Sequence, residues 1–478
     1  MIHQEMLIGG HFIGGVCDYA TGKSVIRSPW DGATVGSAAE GGWSEMEGAI
    51  SAAHDAFQTW RFSSSSDRAA LLQRVSKLIT ERRQELADLM RAEIGKPVTL
   101  ALGEVDRVAI TFAEAARCAA LIEPVSMPLD GDPRGVHYRA QVLRQPVGPI
   151  FGIVPYNWPI NLAAHKIAPA LAAGATIIVK PSPLSPLSTY ALARIIHEAG
   201  APDGVMNCLL VEPSVAERAI GDPRVKMLSF TGSPAVGWAL KAKFPSKRVV
   251  LELGGNASAI VCASADLQKA APRLATGAFA YAGQICISVQ HILVERSRYE
   301  EVRARLLDEV SRMPVGDPSR PEVVCGPMIS ETAAERVIEW VEEADVAGAT
   351  VLTGGTREGT MIAPTILENV PDTVRLANEE VFGPVVSLEP FDSLEHAIGR
   401  VNRSRYGIHA SVFTEDGDER KMAADRLEVG GVVFNDSPTV RFDNLPYGGV
   451  KESGFGREGV RYAIEEMTEL KSLVSRID

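Results

Sequence analysis

From residue 150 onward, short apolar runs rich in β-formers alternate with segments of helical spacing. The candidate strands are 150–154 (IFGIV), 175–179 (ATIIV), 205–211 (VMNCLLV), 225–230 (VKMLSF) and 248–252 (RVVLE). Helix-like segments lie between them at 160–173, 186–199, 213–220 and 234–243. This alternation predicts βαβ units and a parallel sheet. A second series, 257–263, 290–295, 386–391, 409–414 and 431–435, predicts another α/β unit beginning near residue 253. Upstream, Leu71, Val75, Leu78 and Ile79 follow helical spacing, so 67–94 reads as one amphipathic helix after a serine loop at 63–66. Two pieces fit neither unit. One is 124–146, where VHYRAQVLRQP alternates as a β-ribbon does, and the other is the C-terminal MTELKSLVSRID. Apolar alternation in a projecting ribbon predicts pairing with another chain, as in a homodimer or homotetramer.

The length, 478 residues with 46% hydrophobic and 23% charged, exceeds what one core usually supports and agrees with two large domains. The formal charge of −12 comes without a basic block, which argues against a nucleic-acid or anionic-membrane partner. The N-terminal MIHQEMLIGGHFIGG does not read as a signal peptide. No apolar run approaches the roughly 20 residues of a membrane span. A cytoplasmic protein is expected. Cys17, Cys118, Cys208, Cys262, Cys286 and Cys325 contain no CxxC pair, and the histidines show no HExxH spacing. That pattern suits reduced thiols and no bound metal.

The polar signals cluster at the ends of the first series of strands. Pro155-Tyr156-Asn157-Trp158-Pro159 follows the first, and Lys180-Pro181-Ser182 the second. Thr231-Gly232-Ser233 follows the fourth, with Gly237 opening a helix, and the fifth ends in Glu252 before Gly254 and Gly255. Ligands of doubly wound sheets bind beyond the carboxyl ends of strands. Taken singly, each signal has an ordinary explanation. Asn157 suits a turn, Lys180 a solvated strand end, Glu252 an ion pair, and Cys286 a buried filler. Residues 454–459, GFGREG, match GxGxxG but follow a loop, so they read as a turn into the last helix.

Together, PYNWP (155–159), VKPS (179–182), FTGS (230–233), LELGG (251–255), GQIC (283–286), EEVFGPV (379–385) and PYGGVKESGFGRE (446–458) resemble the aldehyde dehydrogenase superfamily over nearly the whole chain. NDSPTVRFDNLPYGGVKESGFGREG (435–459) points to its lactaldehyde and small-semialdehyde branch. The resemblance implies an α/β fold with two doubly wound domains and a small β-ribbon oligomerisation element. Residues 1–123 and 147–252 would form the NAD(P)-binding domain, and 253–445 the catalytic domain. Residues 124–146 and 460–478 would form the ribbon and C-terminal tail.

The resemblance also implies site roles. Cys286 is the nucleophile, Asn157 with the Cys286 backbone N–H the oxyanion donor, and Glu252 the base that activates water against a thioester. Glu380 and Phe382 hold the nicotinamide ribose and ring, Lys180 the adenosine ribose, and Ser233 the pyrophosphate. Pro155, Tyr156, Ser182, Gly232 and Gly254 complete the NAD or NADP site. NAD-preferring members commonly read KPSE, whereas Pro183 stands here in place of that carboxylate, so either nucleotide is expected. For the substrate pocket, Trp158, Leu162 and His165 share one helix face, and Ile285 and Ile287 flank Cys286. Arg107 and Arg441 either hold an anionic tail or are solvated or ion-paired. The mixture suggests a small aldehyde bearing a hydroxyl or acidic group. Competing readings are acyl transfer to coenzyme A, a cysteine thiol esterase, and a non-catalytic relative of the same fold.

Overall fold

The computed structural model describes residues 2–8, 11–13 and 22–477. Cys17 therefore lies outside the described residues. Eight strands form one sheet in the order Gly454–Phe455, Arg248–Glu252, Met227–Thr231, Ile150–Ile153, Ile177–Lys180, Met206–Cys208, Met6–Ile8 and His11–Ile13. The five central strands run parallel, and antiparallel strands close both edges. Strand order reverses between Ile150–Ile153 and Met227–Thr231. That switch point is where the turns at 155–157 and 231–233 emerge. The intervening helices Pro159–Ala173, Pro186–Glu198, Pro213–Gly221 and Pro234–Lys243 each begin with proline, whose fixed φ and missing N–H suit the first helical position.

A seven-stranded sheet follows, in the order Thr350–Thr353, Thr365–Glu368, Val385–Phe391, Val289–Glu295, Ala257–Val261, His409–Phe413 and Gly431–Phe434. All its pairings are parallel except that of the edge strand Thr350–Thr353. A third sheet joins Tyr138–Pro146 to Val125–Met127 on one side and to Thr468–Arg476 on the other. The C-terminal strand pairs along the whole ribbon, from Thr468 opposite Pro146 to Arg476 opposite Tyr138. The ribbon and the tail are thus one element. Val125, Met127, Leu470 and Val474 are exposed on it.

Three sequence expectations need correction. The helix expected over 67–94 is two, Ser65–Glu81 and Arg83–Ile94. Arg82 leaves helical geometry at φ −102 and ψ 22, while the apolar spacing continues through Ile79, Leu86, Met90 and Ile94 and hides the break. The strand expected over 205–211 divides at Leu209, because Leu210–Val211 leaves the large sheet to pair with Thr34–Gly41. The GFGREG turn contributes Gly454–Phe455 as an edge strand against Leu251 and Glu252.

The helix Pro159–Ala173 is buried along its whole length. Its first N–H groups need partners away from water, and Glu104 supplies them, accepting from Ile160 at 3.1 Å and Asn161 at 3.0 Å. The other carboxylate oxygen lies 2.5 Å from Lys96 Nζ, with both side chains fully buried. Burial pulls Lys96 down to about 8 against the pull of Glu104. Breaking such a pair leaves an uncompensated buried charge, at a cost of about 3–5 kcal/mol. Glu104→Ala should therefore lower the unfolding midpoint in urea by that equivalent. Lys96→Met with Glu104→Leu should recover much of the loss. A single variant within about 0.5 kcal/mol of wild type would refute the pair's structural role.

Candidate active site

The loop that carries Cys286 is unusual in its backbone. Tyr281 (φ 52), Ala282 (φ 52) and Gly283 (φ 68) are three successive left-handed residues. Such a conformation is strained for residues with a Cβ and persists only where the surroundings hold it. At Gly283 a Cβ would stand 2.1 Å from the Gly383 carbonyl, so no other residue fits. The buried Gln284 side chain holds the turn. Its Nε2 donates to the Tyr281 and Pro327 carbonyls, both at 3.2 Å, and its Oε1 accepts from Ile329 N–H at 2.9 Å and Tyr156 Oη at 3.2 Å.

Asn157 reaches the same loop. Its Nδ2 donates to the Gln284 carbonyl at 2.9 Å, and its own carbonyl accepts from Lys96 Nζ at 2.8 Å. One amide hydrogen is thereby fixed and the other is left to a ligand. Cys286 is partly exposed and packs with Trp158 against a cluster of Ile285, Ile287, Ile408 and Tyr447. Burial pushes its thiol up to about 12, opposed by a hydrogen bond to the Tyr447 hydroxyl at 3.1 Å.

Glu252 is buried, and neither carboxylate oxygen has a hydrogen-bond partner. Burial, then the charge of Glu458, raises it well above the ordinary carboxylate range, against Arg441, Lys166 and Arg457. Glu458 behaves oppositely. Burial resists its ionisation, yet Lys166 and Arg441 hold it down at about 2. Lys166 Nζ lies 3.1 Å from Glu458 and 3.1 Å from Ser229 Oγ.

The structure distributes the remaining pocket candidates unevenly. Leu162 is buried in the helix Pro159–Ala173. His165 is fully buried too, with Nε2 2.8 Å from Asp443, so it steadies the loop instead of facing the cleft. Arg107 makes a two-pronged bond to Asp443 at 2.6 and 3.0 Å, and its guanidinium lies 5.2 Å from the Trp158 ring. Arg441 is buried, bonded to Glu458 at 3.2 Å and stacked 3.6 Å above the Tyr447 ring. Both arginines are ion-paired within the protein.

Between the Ser233 turn and Glu380, a cavity of about 640 Å³ is lined by Ser233, Trp238, Glu379, Glu380, Arg405 and Tyr406, among others. Burial raises Glu380 to about 8, and its Oε1 accepts from Gly255 N–H at 3.1 Å. A Cβ at Gly254 would stand 2.4 Å from the other Glu380 oxygen. Gly232 N–H bonds the Glu252 carbonyl at 3.0 Å, and Phe382 meets Tyr156 edge-on at 6.1 Å. Lys180 is buried beside the 155–157 turn, with Nζ 3.2 Å from the Pro181 carbonyl. Burial lowers its amine, and the charges opposing this are Glu212 and Glu40. Ser182 Oγ accepts from Leu184 N–H at 3.2 Å, and Pro183 is exposed.

Sequence reading left Gln284, Tyr447, Asp443, Glu458 and Lys166 without roles. Four of them stood inside quoted stretches: Gln284 in GQIC, Tyr447 and Glu458 in PYGGVKESGFGRE, and Asp443 in NDSPTVRFDNLPYGGVKESGFGREG. A polar group within an otherwise apolar or glycine-rich motif was the available signal.

An α/β chain with two large mostly parallel sheets and a strained loop presenting a partly exposed cysteine defines a class, and comparison with known proteins names it. Residues 19–473 match the aldehyde dehydrogenase family. The chain belongs to that family, and is an oxidoreductase of the aldehyde dehydrogenase type. It is 39% identical over 431 residues to a 3-sulfolactaldehyde dehydrogenase of Priestia aryabhattai, covering 90% of each chain. Aldehyde dehydrogenase 21 from Physcomitrella patens, solved with its reaction product succinate, is 36% identical at a TM-score of 0.96, covering 99% of this chain and 98% of that one. An NADP-dependent glyceraldehyde-3-phosphate dehydrogenase from Bacillus halodurans C-125, complexed with NADP, is 32% identical at a TM-score of 0.96 over 100% of both chains. Among the described residues, no helix is long and apolar enough to cross a membrane.

The raised thiol gives a direct test. With a value near 12, the reactive thiolate fraction grows about tenfold per pH unit throughout the neutral and mildly alkaline range. Iodoacetamide labelling of Cys286 in the nucleotide-free protein should therefore rise steadily from pH 7 to 10. A plateau by about pH 8.5 would show an ordinary thiol and contradict this environment.

Proposed function

We propose that this chain oxidises a small polar aldehyde to its carboxylic acid with NAD or NADP, by way of a covalent adduct on Cys286. The observation that carries this is that the Asn157 amide bonds the loop of Cys286, while an unpartnered Glu252 carboxyl lies near enough to act on the Cys286 thiol. Cys286 attacks the carbonyl carbon, and the free Asn157 amide hydrogen with the Cys286 backbone N–H takes the charge that develops on oxygen. The nicotinamide cofactor, when bound, supplies the hydride acceptor. Glu380 and Phe382 would hold its nicotinamide half, and Lys180 with Ser233 its adenosine and pyrophosphate. Glu252 then takes a proton from water as that water cleaves the thioester. Burial without hydrogen-bond partners is what makes a carboxylate basic enough for this near neutral pH.

The residues up to 123 and 147–252 would bind nucleotide, and 253–445 would carry the catalysis. The exposed apolar sheet formed by Val125–Met127, Tyr138–Pro146 and Thr468–Arg476, within the segments 124–146 and 460–478, would seat a second copy of the chain, as a dimer or tetramer in the cytoplasm. The relatives' substrates and product (sulfolactaldehyde, glyceraldehyde 3-phosphate, succinate) are short and anionic or hydroxylated. The apolar packing around Cys286, with the Arg107–Asp443 pair beside Trp158, suits the same class.

Glu252→Gln should release a burst of about one NAD(P)H per site, followed by turnover slower by about two to four powers of ten. Intact mass should show the acyl group on Cys286, and coenzyme A should leave the wild-type rate unchanged. Undiminished turnover in the variant would reject Glu252 as the base.

On an aldehyde panel, kcat/KM for lactaldehyde, glycolaldehyde or a short acid semialdehyde should exceed that for hexanal by at least about tenfold, the scale of one well-made polar contact. A preference for hexanal would reject the polar-substrate reading.

A further inference from the structure

The group that touches the Cys286 sulfur is the Tyr447 hydroxyl, at 3.1 Å. Tyr447 is buried, and its ring packs with Ile285, Ile287 and Ile408. A phenylalanine would fill that space equally well. A buried hydroxyl, by contrast, requires a partner, and the partner here is the sulfur. Arg441 lies 3.6 Å above the other face of the same ring and is held there by Glu458.

We propose that Tyr447 is a further catalytic residue, whose hydroxyl donates to the Cys286 sulfur and holds the thiolate for attack, with Arg441 stacked on the phenol to strengthen the donor. This rests on Cys286 being the nucleophile. In the resting protein burial keeps both groups protonated, and either can donate. Once the thiol ionises, only the Tyr447 hydroxyl carries a proton, so in the reactive state the phenol donates. Thiolate sulfur accepts far better than thiol sulfur, so the bond favours the ionised form. Glu380 and Glu252 push the thiol up, Arg441 draws it down, and the Tyr447 bond is the strongest lowering influence. His409 meets the Tyr447 ring edge-on at 5.3 Å and is held towards neutrality by burial. A cation over a ring face draws on its π density, which leaves the O–H more positive.

In the attack, the Sγ–H bond breaks and its proton goes to water, to which Cys286 is partly open. The sulfur electron pair forms the S–C bond, and the carbonyl π pair moves onto oxygen. The Tyr447 O–H bond neither breaks nor forms. Its hydrogen bond weakens as charge leaves sulfur, so it stabilises the thiolate more than the adduct, and the gain lies in the thiolate population.

The test is Tyr447→Phe, read by iodoacetamide labelling of Cys286 between pH 7 and 9.5. Losing one hydrogen bond to a charged acceptor should slow labelling about tenfold at every pH, after partial offset by the greater nucleophilicity of a more basic thiolate. The slope with pH should be unchanged, the burst of NAD(P)H should slow in parallel, and NAD(P)H binding followed by fluorescence should be unaltered. A wild-type labelling rate overturns the proposal. So does slower labelling accompanied by lost nucleotide binding, since misfolding then accounts for both. Cys286→Ser separates the two claims. Turnover surviving in that variant would overturn the nucleophile assignment, while the labelling ratio still decides whether the hydroxyl acts on the sulfur.

Discussion

Gln284 uses every hydrogen-bonding group of its side chain within the protein, and the rest of the site depends on this. Its amide ties Tyr281, Pro327, Ile329 and Tyr156 together, and its main-chain carbonyl takes the Asn157 amide. A fully satisfied buried amide tolerates no displacement without orphaning a polar atom, and each orphan costs about 1–3 kcal/mol. That penalty is of the size needed to hold Tyr281 and Ala282 in left-handed backbone. The strained turn in turn sets Cys286 two residues beyond the anchor, against the loop that carries Asn157. Cys286 and Asn157, the proposed nucleophile and oxyanion donor, are therefore fixed to one another through the single residue Gln284, across two elements far apart in sequence.

The same economy of partners sorts the charges behind the cleft. Asp443 is shared by Arg107 and His165, and Glu458 by Lys166 and Arg441, so both carboxylates stay ionised despite their burial. Glu252 lies within reach of the same cations but bonds to none of them. Two carboxylates in one buried region thus diverge, one ionised and structural, the other basic and without a hydrogen-bond partner. Environment alone makes that division. An anionic substrate tail entering near Arg107 would compete with Asp443, so selectivity for acidic aldehydes depends on how readily that pair exchanges partners.

The parallel sheets were legible because their strands are apolar runs spaced by helices, and because proline and small polar residues mark each turn at the switch point. Cys286, Glu252 and Asn157 could be picked out for a similar reason, since each stands in a motif that resembles a family. Long-range pairing was less legible. Nothing in MTELKSLVSRID specifies the ribbon at 138–146 as its partner, because alternation fixes which face a residue takes and not which strand it meets. The break at Arg82 lay hidden beneath continuous apolar spacing. Asp443 and Glu458 were invisible as a network because ion pairing between residues up to 336 positions apart leaves no periodic trace.

Basicity alone does not mark the reactive thiol. Burial drives every described cysteine upward: Cys118 to about 11, Cys325 to about 12, and Cys208 and Cys262 further still. Cys286 and Cys325 share nearly the same value, yet Cys325 is wholly buried, and the hydrogen bond that lowers it comes from the Ala282 main chain. Cys286 is partly exposed, with the Tyr447 hydroxyl at its sulfur. What separates them is access, with a side-chain hydroxyl in place of a main-chain donor. A thiol kept mostly protonated in the resting protein is slow to oxidise, while a donor already in place lowers the cost of ionising it when the aldehyde arrives. The partly exposed sulfur can thus remain intact between turnovers without giving up the group that makes it reactive.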